Sequence, residues 1–299
     1  MGKADGIRLV ALAAIWGASF LFMRIAVPAF GALNTAFLRV ALGALGLAAL
    51  LLLLRKSWRF AGKFWSVALL GVVNSGLPFL LYCLAARYLP AGYSALLNAT
   101  TPLMGALIGC ACFGETLSRR KWLGVATGFV GVALIIPRGT LEASPGVLGG
   151  IGACLLATAC YGTAGYLARR WISERGGLEA TLVACGSQLG ATLFLLPLSL
   201  GSLAMSPLPA MPPASAWLSV LAVGLLCTAL AYLLYFQLLA DIGPLRTLSV
   251  TFLVPPFGVL WGYLVLGETL APNVLLGALV IGLAVWLVLH SESTTTTRQ

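Results

Sequence analysis

The stretch PLMGALIGCACFGETL at residues 102–117 returns as PPFGVLWGYLVLGETL at residues 255–270, an offset of 153 residues. The two copies share the first proline, two glycines at matching positions and the whole Gly-Glu-Thr-Leu ending. Self-similarity over a long period is the signature of a chain built from repeated units. The predicted units are a first half at residues 1–140, a second half at 141–290 and a disordered tail at 291–299.

Other residues follow the same repeat. The offset of 153 also places Tyr82 on Tyr235 and Asn98 on Thr251. Near the start of each half the offset between matching residues is 145 rather than 153, so a connection within the second half is longer than its counterpart in the first. At this second offset Trp16, Gly17 and Arg24 align with Tyr161, Gly162 and Arg169.

Composition identifies the solvent of this chain as lipid. Apolar residues make up 60% of it, charged residues 9%, and the mean hydropathy is +1.01. A soluble domain carries about a quarter charged residues. The net charge of +10 comes from short basic clusters between apolar runs. That placement indicates membrane topology, and we expect no nucleic-acid partner.

Ten apolar runs approach the length of about 20 residues that a spanning helix needs. Proline and glycine separate most of them, as at Pro28 and Gly31 and from Pro137 to Pro145. Five spans in each half oblige the second half to enter the membrane from the opposite side. The candidate spans are 7–27, 34–54, 64–86, 91–113, 121–137, 146–168, 178–200, 214–239, 244–266 and 272–290.

The basic residues predict the orientation. Lys and Arg concentrate on the cytoplasmic side of membrane proteins. With ten spans, all but four of the 18 basic residues lie on the side of both termini, which we therefore expect to be cytoplasmic. The four on the other side are Arg24, Arg39, Arg87 and Arg138. Those on the cytoplasmic side are Lys3, Arg8, Arg55, Lys56, Arg59, Lys63, Arg119, Arg120, Lys121, Arg169, Arg170, Arg175, Arg246 and Arg298.

Together with the opening AIWGASF of the first span, residues 14–20, these features resemble the drug/metabolite transporter superfamily and its EamA-type exporters. The overall pattern is similar to that of an aromatic amino acid exporter. The resemblance implies an all-α membrane protein of ten transmembrane helices, arranged as two inverted five-helix repeats around a central cavity. It also implies a multi-pass protein of a bacterial-type inner membrane, with the fifth and tenth spans at the periphery.

Polar and aromatic side chains repeat at helical spacing along several spans. A polar residue inside a membrane needs a partner or a water-filled cavity. Each hydroxyl has an alternative interpretation, a bond to its own backbone or to a neighbouring helix, and Pro78 could be a kink that only improves packing. The candidate substrate-binding residues are Trp16, Phe20, Asn74, Pro78, Tyr82, Ser94, Asn98, Thr101, Thr158, Tyr161, Thr228, Tyr232, Tyr235 and Thr251.

Ionisable residues are scarce inside the spans. No Asp or Glu lies in mid-span, and Glu115 and Glu268 stand at span ends, where a capping or interfacial role is favoured. Arg39 is placed near the outer end of the second span, where it snorkels to the interface or meets an anionic group. The cavity is therefore expected to have no fixed charge. The seven cysteines fall in apolar runs and are interpreted as packing residues; no metal or cofactor is expected.

These features favour a secondary transporter that exports small neutral or zwitterionic metabolites by alternating access. Amino acids, including aromatic ones, are implied by the resemblance; an exporter of aromatic cations and a passive channel are the alternatives. An enzyme is disfavoured because the chain holds a single histidine, His290, and no paired carboxylates in mid-span. A monomer is sufficient for such a protein, and a dimer stays open.

Overall fold

The structure is a computed structural model that describes residues 2–136, 144–205, 211–243, 247 and 250–289. Arg138, Arg246, His290, Arg298 and the predicted tail at 291–299 lie outside these residues, as does most of the predicted turn from Pro137 to Pro145. Within the described residues the protein is helical and contains no strand. The helices are α1 Lys3–Leu53, α2 Phe64–Gly71, α3 Leu77–Ala85, α4 Ala91–Asn98, α5 Thr101–Cys112, α6 Arg119–Ile135, α7 Pro145–Trp171, α8 Ala180–Met205, α9 Ala214–Leu221, α10 Ala231–Ile242, α11 Val250–Leu266 and α12 Pro272–Leu289.

Six stretches of the described chain are long and apolar enough to cross a membrane, or seven when the pair α4 and α5 is counted as one span. Helix α1 is 51 residues long and contains one non-helical residue, Gly31, with φ 75° and ψ 163°. A straight helix of that length would measure about 76 Å at 1.5 Å per residue, against about 30 Å of hydrocarbon. The break at Gly31 confirms the predicted turn after Pro28.

Three spans are interrupted in their middle. Helices α4 and α5 meet at an angle of 43° across Ala99 and Thr100. Two π-helical segments, Val72–Gly76 and Ala222–Leu230, join α2 to α3 and α9 to α10. The kink predicted at Pro78 lies one turn earlier, because a proline gives no hydrogen bond to the carbonyl four residues before it. That carbonyl belongs to Asn74, inside the first π-helical segment.

Small residues bring several helices into close contact. A Cβ atom added to Gly71 would lie 1.9 Å from the carbonyl oxygen of Ser187, and one added to Gly190 would lie 2.2 Å from that of Ala68. These positions hold α2 against α8 at backbone distance. Small residues allow such approach in membrane helices, where packing drives association.

Two further glycine contacts involve residues that the repeat aligns. A Cβ on Gly17 would lie 2.8 Å from the backbone nitrogen of Gly258, and one on Gly162 would lie 2.7 Å from the Cα of Gly105. Helix α1 therefore packs on α11 as α7 packs on α5. Helices α6 and α12 pack on each other as well.

The cysteines contribute packing rather than cross-links. All seven are free thiols, and Cys83, Cys154, Cys185 and Cys227 are buried. Cys112 is exposed, so the interpretation as packing residues holds for most of them and fails for this one.

Candidate substrate cavity

A cavity of about 560 Å³ lies between the helices, which is within the usual range for small-molecule sites. We call it the aromatic cavity. Helix α1 contributes five side chains to it, and the others come from the interrupted spans, α7, α11 and α12. The lining residues are Trp16, Ser19, Phe20, Met23, Arg39, Asn74, Phe79, Tyr82, Asn98, Ala99, Thr101, Pro102, Tyr161, Cys227, Thr228, Tyr232, Tyr235, Val250, Thr251, Phe252, Val254 and Leu289.

Aromatic rings contact one another along its wall. Trp16 and Tyr235 have ring centroids 5.6 Å apart, and Phe20 meets Tyr82 edge to face at 5.3 Å. Tyr82 is also stacked with Tyr161 at 6.3 Å. Aromatic pairs at such distances stabilise one another beyond the area that they bury. The wall is therefore a preformed aromatic surface on which a flat solute can lie.

Three polar side chains of the cavity lie together at the break between α4 and α5, and a fourth, Asn74, stands at another interruption. Tyr82 donates a hydrogen bond of 2.9 Å to Asn98 Oδ1, and Asn98 is the last residue of α4. The hydroxyl of Thr101 donates to the backbone oxygen of Asn98 at 2.7 Å. Asn74 stands in the π-helical segment before α3. Interrupted backbone at membrane depth is tolerated where it faces protein or a cavity, and both breaks contribute residues to the aromatic cavity.

The structure brings most of the predicted residues together. Of the candidates, only Pro78, Ser94 and Thr158 are absent from the cavity wall. All three are buried. Thr158 donates to the backbone oxygen of Leu155 and lies 3.3 Å from the hydroxyl of Thr100, so it links α7 to the break between α4 and α5. The residues that do line the cavity are Trp16, Phe20, Asn74, Tyr82, Asn98, Thr101, Tyr161, Thr228, Tyr232, Tyr235 and Thr251.

Arg39 corrects two predictions. Its residue surface is 5% exposed, so it does not snorkel to the interface. It lines the aromatic cavity, so the prediction of a cavity without fixed charge is wrong. An arginine that follows Phe37-Leu38 inside an apolar run is an unusual feature, but residue spacing does not tell whether its side chain lies in the interior or at the interface. Its depth became clear only from the packing of α1 against α3.

Phe79, Met23 and Cys227 also line the cavity but were not among the candidates. Met23 follows Phe20 and Phe79 precedes Tyr82 by three residues each, and Cys227 precedes Tyr232 by five across the end of a π-helical segment. Apolar side chains of this kind carry no polar signal. They could have been found only by extending each polar stripe to its neighbours on the same helical face.

A second cluster of charges lies away from the cavity, around Glu268. Its Oε2 accepts a hydrogen bond of 2.8 Å from the backbone nitrogen of Ala91, the first residue of α4. Arg24 Nε lies 3.8 Å from the other carboxylate oxygen, and Arg24 also donates to the backbone oxygen of Ala86. Burial raises the pKa of Glu268, although the Ala91 N–H and Arg24 oppose it. The expected capping role of Glu268 is confirmed by this contact.

Comparison with known proteins places this fold in a family. The model of the EamA-like transporter family matches residues 6–136 and again residues 148–290. The chain belongs to the EamA-like transporter family. It is accordingly a transporter and not an enzyme, and a multi-pass protein of the inner membrane.

Several individual proteins are similar over most of their length. Protein PecM of Dickeya dadantii is 26% identical, with 89% of this chain and 86% of that protein aligned. A probable terminal-alkyne amino-acid exporter of Streptantibioticus cattleyicolor is 27% identical over 92% of this chain and 90% of its own. The uncharacterized inner membrane transporter YedA of Escherichia coli is 28% identical over 94% and 89%.

A solved crystal structure shares the fold. It superposes with a TM-score of 0.62 at 20% identity and covers 96% of both chains. At this identity the likeness concerns the arrangement of the helices alone. The finer resemblance to an aromatic amino acid exporter stays a prediction.

Proposed function

We propose that this EamA-like transporter is a secondary transporter that exports small neutral or zwitterionic metabolites, amino acids with aromatic side chains among them, by alternating access. The aromatic cavity is the observation that carries the proposal. Rings of Trp16, Tyr82, Tyr161 and Tyr235 can stack on a flat side chain, while amides and hydroxyls bond its polar end. The cavity volume of about 560 Å³ suits a solute of amino-acid size.

The architecture proposed for this function has ten spans in two inverted halves with cytoplasmic termini, residues 1–140 and 141–290. The family model matches the chain twice, once in each half. The contacts Gly17 with Gly258 and Gly162 with Gly105 are the ones that a pseudo-twofold axis would relate. Inverted repeats place the substrate at the interface of the halves, where the aromatic cavity draws residues from both.

The two Gly-Glu-Thr-Leu segments have the same local geometry, which further supports the repeat. Gly114 and Gly267 both adopt positive φ, at 71° and 65°. The backbone nitrogen of Glu115 donates to the oxygen of Gly109, and that of Glu268 to the oxygen of Gly262. Each segment thus ends its helix with the same left-handed glycine, a position where other residues are strained.

Substrate choice rests on the cavity and on one relative. The Streptantibioticus cattleyicolor relative is named as a probable amino-acid exporter, and the aromatic wall favours an aromatic member of that class. An exporter of aromatic cations is the second candidate, because the faces of these rings attract cations. One chain contains both halves, so a monomer suffices for transport.

Counterflow in proteoliposomes tests the proposal. Vesicles loaded with unlabelled L-phenylalanine should accumulate labelled L-phenylalanine transiently and saturably, and empty vesicles should not. A carrier produces this transient accumulation because the unlabelled solute inside competes for the inward-facing site and slows the exit of the labelled solute. Linear, unsaturated entry without counterflow would indicate a passive channel. A panel that includes an aromatic cation would identify the second candidate.

A further inference from the structure

Arg39 is a charged side chain in the wall of the aromatic cavity, and it lies in the interior of the protein. Its residue surface is 5% exposed. An arginine guanidinium stays protonated throughout the physiological pH range. Burial of an ion without a counter-charge is costly, and the cost is usually met by a paired group of opposite sign. The protein therefore holds a fixed positive charge at its candidate substrate site.

The contacts of Arg39 do not supply a counter-charge. Nη1 lies 3.3 Å from the sulfur of Met23, a weak acceptor. The guanidinium carbon lies 3.5 Å from the centre of the Phe79 ring, so one face is stacked on an aromatic side chain. Nε is buried and has no hydrogen-bond partner. None of the ion pairs among the described residues includes Arg39.

Stacking on Phe79 leaves the in-plane N–H donors along the edge of the guanidinium without a strong acceptor. Phe79 covers a face, and the N–H donors of a guanidinium point outward in its plane. A planar carboxylate accepts two parallel N–H···O bonds from such an edge, and these charge-assisted bonds are among the strong ones in proteins. A ring that holds the guanidinium by its face fixes the direction of that edge.

We propose that Arg39 binds the carboxylate of the transported solute, so that the substrates are aromatic or similarly apolar monocarboxylates, zwitterionic amino acids included. The inference rests on the proposed function, because it assigns the ligand of the same cavity. One positive charge matches one negative charge. A dianionic group such as a phosphate monoester would leave a buried charge uncompensated, and an aromatic cation would add a second positive charge beside Arg39.

Two matched pairs of probes test this assignment. L-phenylalanine and L-phenylalaninamide differ in the carboxylate and both carry the ammonium group. The second pair, 3-phenylpropionate and 3-phenylpropionamide, repeats the comparison without the ammonium group. Binding is measured as thermal stabilisation of the purified protein, and transport as competition against labelled L-phenylalanine counterflow. In the wild type, each acid should bind tighter than its amide by roughly tenfold or more.

Three variants show whether Arg39 causes that preference. Arg39→Met keeps an apolar chain against Phe79 and should abolish the preference for acid over amide. Arg39→Lys keeps the charge without the planar fork and should retain part of it. Arg87→Met removes an exposed arginine outside the cavity and should behave as the wild type. The wild-type comparison needs no variant, so misfolding of Arg39→Met would not prevent the test.

The outcomes separate this inference from the transport proposal. Equal binding of acids and amides by the wild type would overturn the role of Arg39, and so would a preference that survives in Arg39→Met or a failure of every acid to bind. Saturable counterflow of L-phenylalanine, or of an aromatic cation where no acid binds, would keep the transport proposal in those cases. Tighter binding of the acids without any counterflow would overturn the transport proposal and keep the assignment of Arg39.

Discussion

The hydrogen bond from Tyr82 to Asn98 Oδ1, 2.9 Å long, is the polar contact that we expect to matter most in the aromatic cavity. Tyr82→Phe removes the donor and keeps the ring, so Asn98 loses the partner that orients its amide. Transport efficiency for L-phenylalanine should fall about 2- to 10-fold, the range for one neutral hydrogen bond. Counterflow in proteoliposomes measures it.

Tyr82→Ala is a poorer test, because Tyr82 is 2% exposed. Loss of a buried aromatic ring costs about 3–5 kcal/mol of folding stability, so lost transport could reflect lost fold. Tyr88→Phe is the matched control, since Tyr88 is 45% exposed and outside the cavity. Equal transport by Tyr82→Phe and Tyr88→Phe would remove the Tyr82 hydroxyl from the site.

Most cavity residues could be predicted from sequence because their chemistry is costly in lipid. An amide such as Asn98 or a hydroxyl such as that of Tyr82 must find a partner or water. The same argument could not separate Asn98 from Thr158, because a threonine can satisfy its hydroxyl on its own helix, as Thr158 does on Leu155. Arg39 shows the opposite failure, since apolar neighbours on both sides concealed how deeply it lies.

The contact of α2 with α8 depends on the absence of side chains. Gly71→Ala would place a Cβ 1.9 Å from the carbonyl oxygen of Ser187, a backbone atom that cannot rotate away. We expect the two helices to separate and the stability to fall by about 1–3 kcal/mol or more. The midpoint of thermal unfolding in detergent measures the loss.

Gly149→Ala in α7 is the matched control for this substitution. A Cβ there has nothing within 4 Å, and the residue is exposed on its helix. Alanine favours a helix over glycine by about 1 kcal/mol, so the control should be neutral or stabilising. A Gly71→Ala protein as stable as the wild type would contradict the close packing of α2 on α8.

Glu268 and Glu179 should give opposite pH dependence, and both lie outside the spanning helices. Burial raises the pKa of Glu268. Its contribution to stability is present below the unfolded pKa of about 4.3 and is lost as the pH rises through the raised value. The difference in unfolding midpoint, wild type minus Glu268→Gln, should therefore decrease as the pH rises through this window.

Glu179 differs because its partners prevail over burial. Burial opposes ionisation, but bonds from Lys56, Thr181 and the Leu182 N–H outweigh it and lower the pKa. Its contribution is present above the unfolded pKa and is lost as the pH falls through the lowered value. The difference, wild type minus Glu179→Gln, should increase as the pH rises. If both differences in unfolding midpoint changed with pH in the same direction, the pKa shift assigned to one of the two carboxylates would be wrong.

The interruptions of the spans were only partly predictable. Proline has no N–H to donate to the carbonyl four residues earlier, so Pro78 indicated a distortion of the helix in the preceding turn. Whether the helix bends or widens into a π-helical segment depends on what packs beside it, here Gly71 on Ser187 of α8. The second segment, Ala222–Leu230, contains no proline, and only the offset of 153, which places the first segment on residues 225–229, points to it in the sequence.

At the scale of the molecule, the repeat proved to be the most informative pattern. A chain that crosses lipid must satisfy its backbone hydrogen bonds internally. Long apolar runs therefore imply helices, and the described chain is helical. The repeat matches Gly17 with Gly162 and Gly105 with Gly258, and the close contacts run between the halves, Gly17 on Gly258 and Gly162 on Gly105. Hydropathy alone does not locate the break inside α1, which Pro28 and Gly31 marked and which the structure places at Gly31.

The opposed orientation of the halves makes a prediction that one pair of matched sites can test. Thr116 and Thr269 occupy the same place in the two Gly-Glu-Thr-Leu segments, and both are exposed. In a background without the native cysteines, Thr116→Cys and Thr269→Cys each add one accessible thiol. With cytoplasmic termini, a membrane-impermeant maleimide should label Thr269→Cys in spheroplasts and Thr116→Cys in inside-out vesicles. Labelling of both from the same side would contradict the inverted arrangement, because an odd number of spans between two sites places them on opposite sides of the membrane.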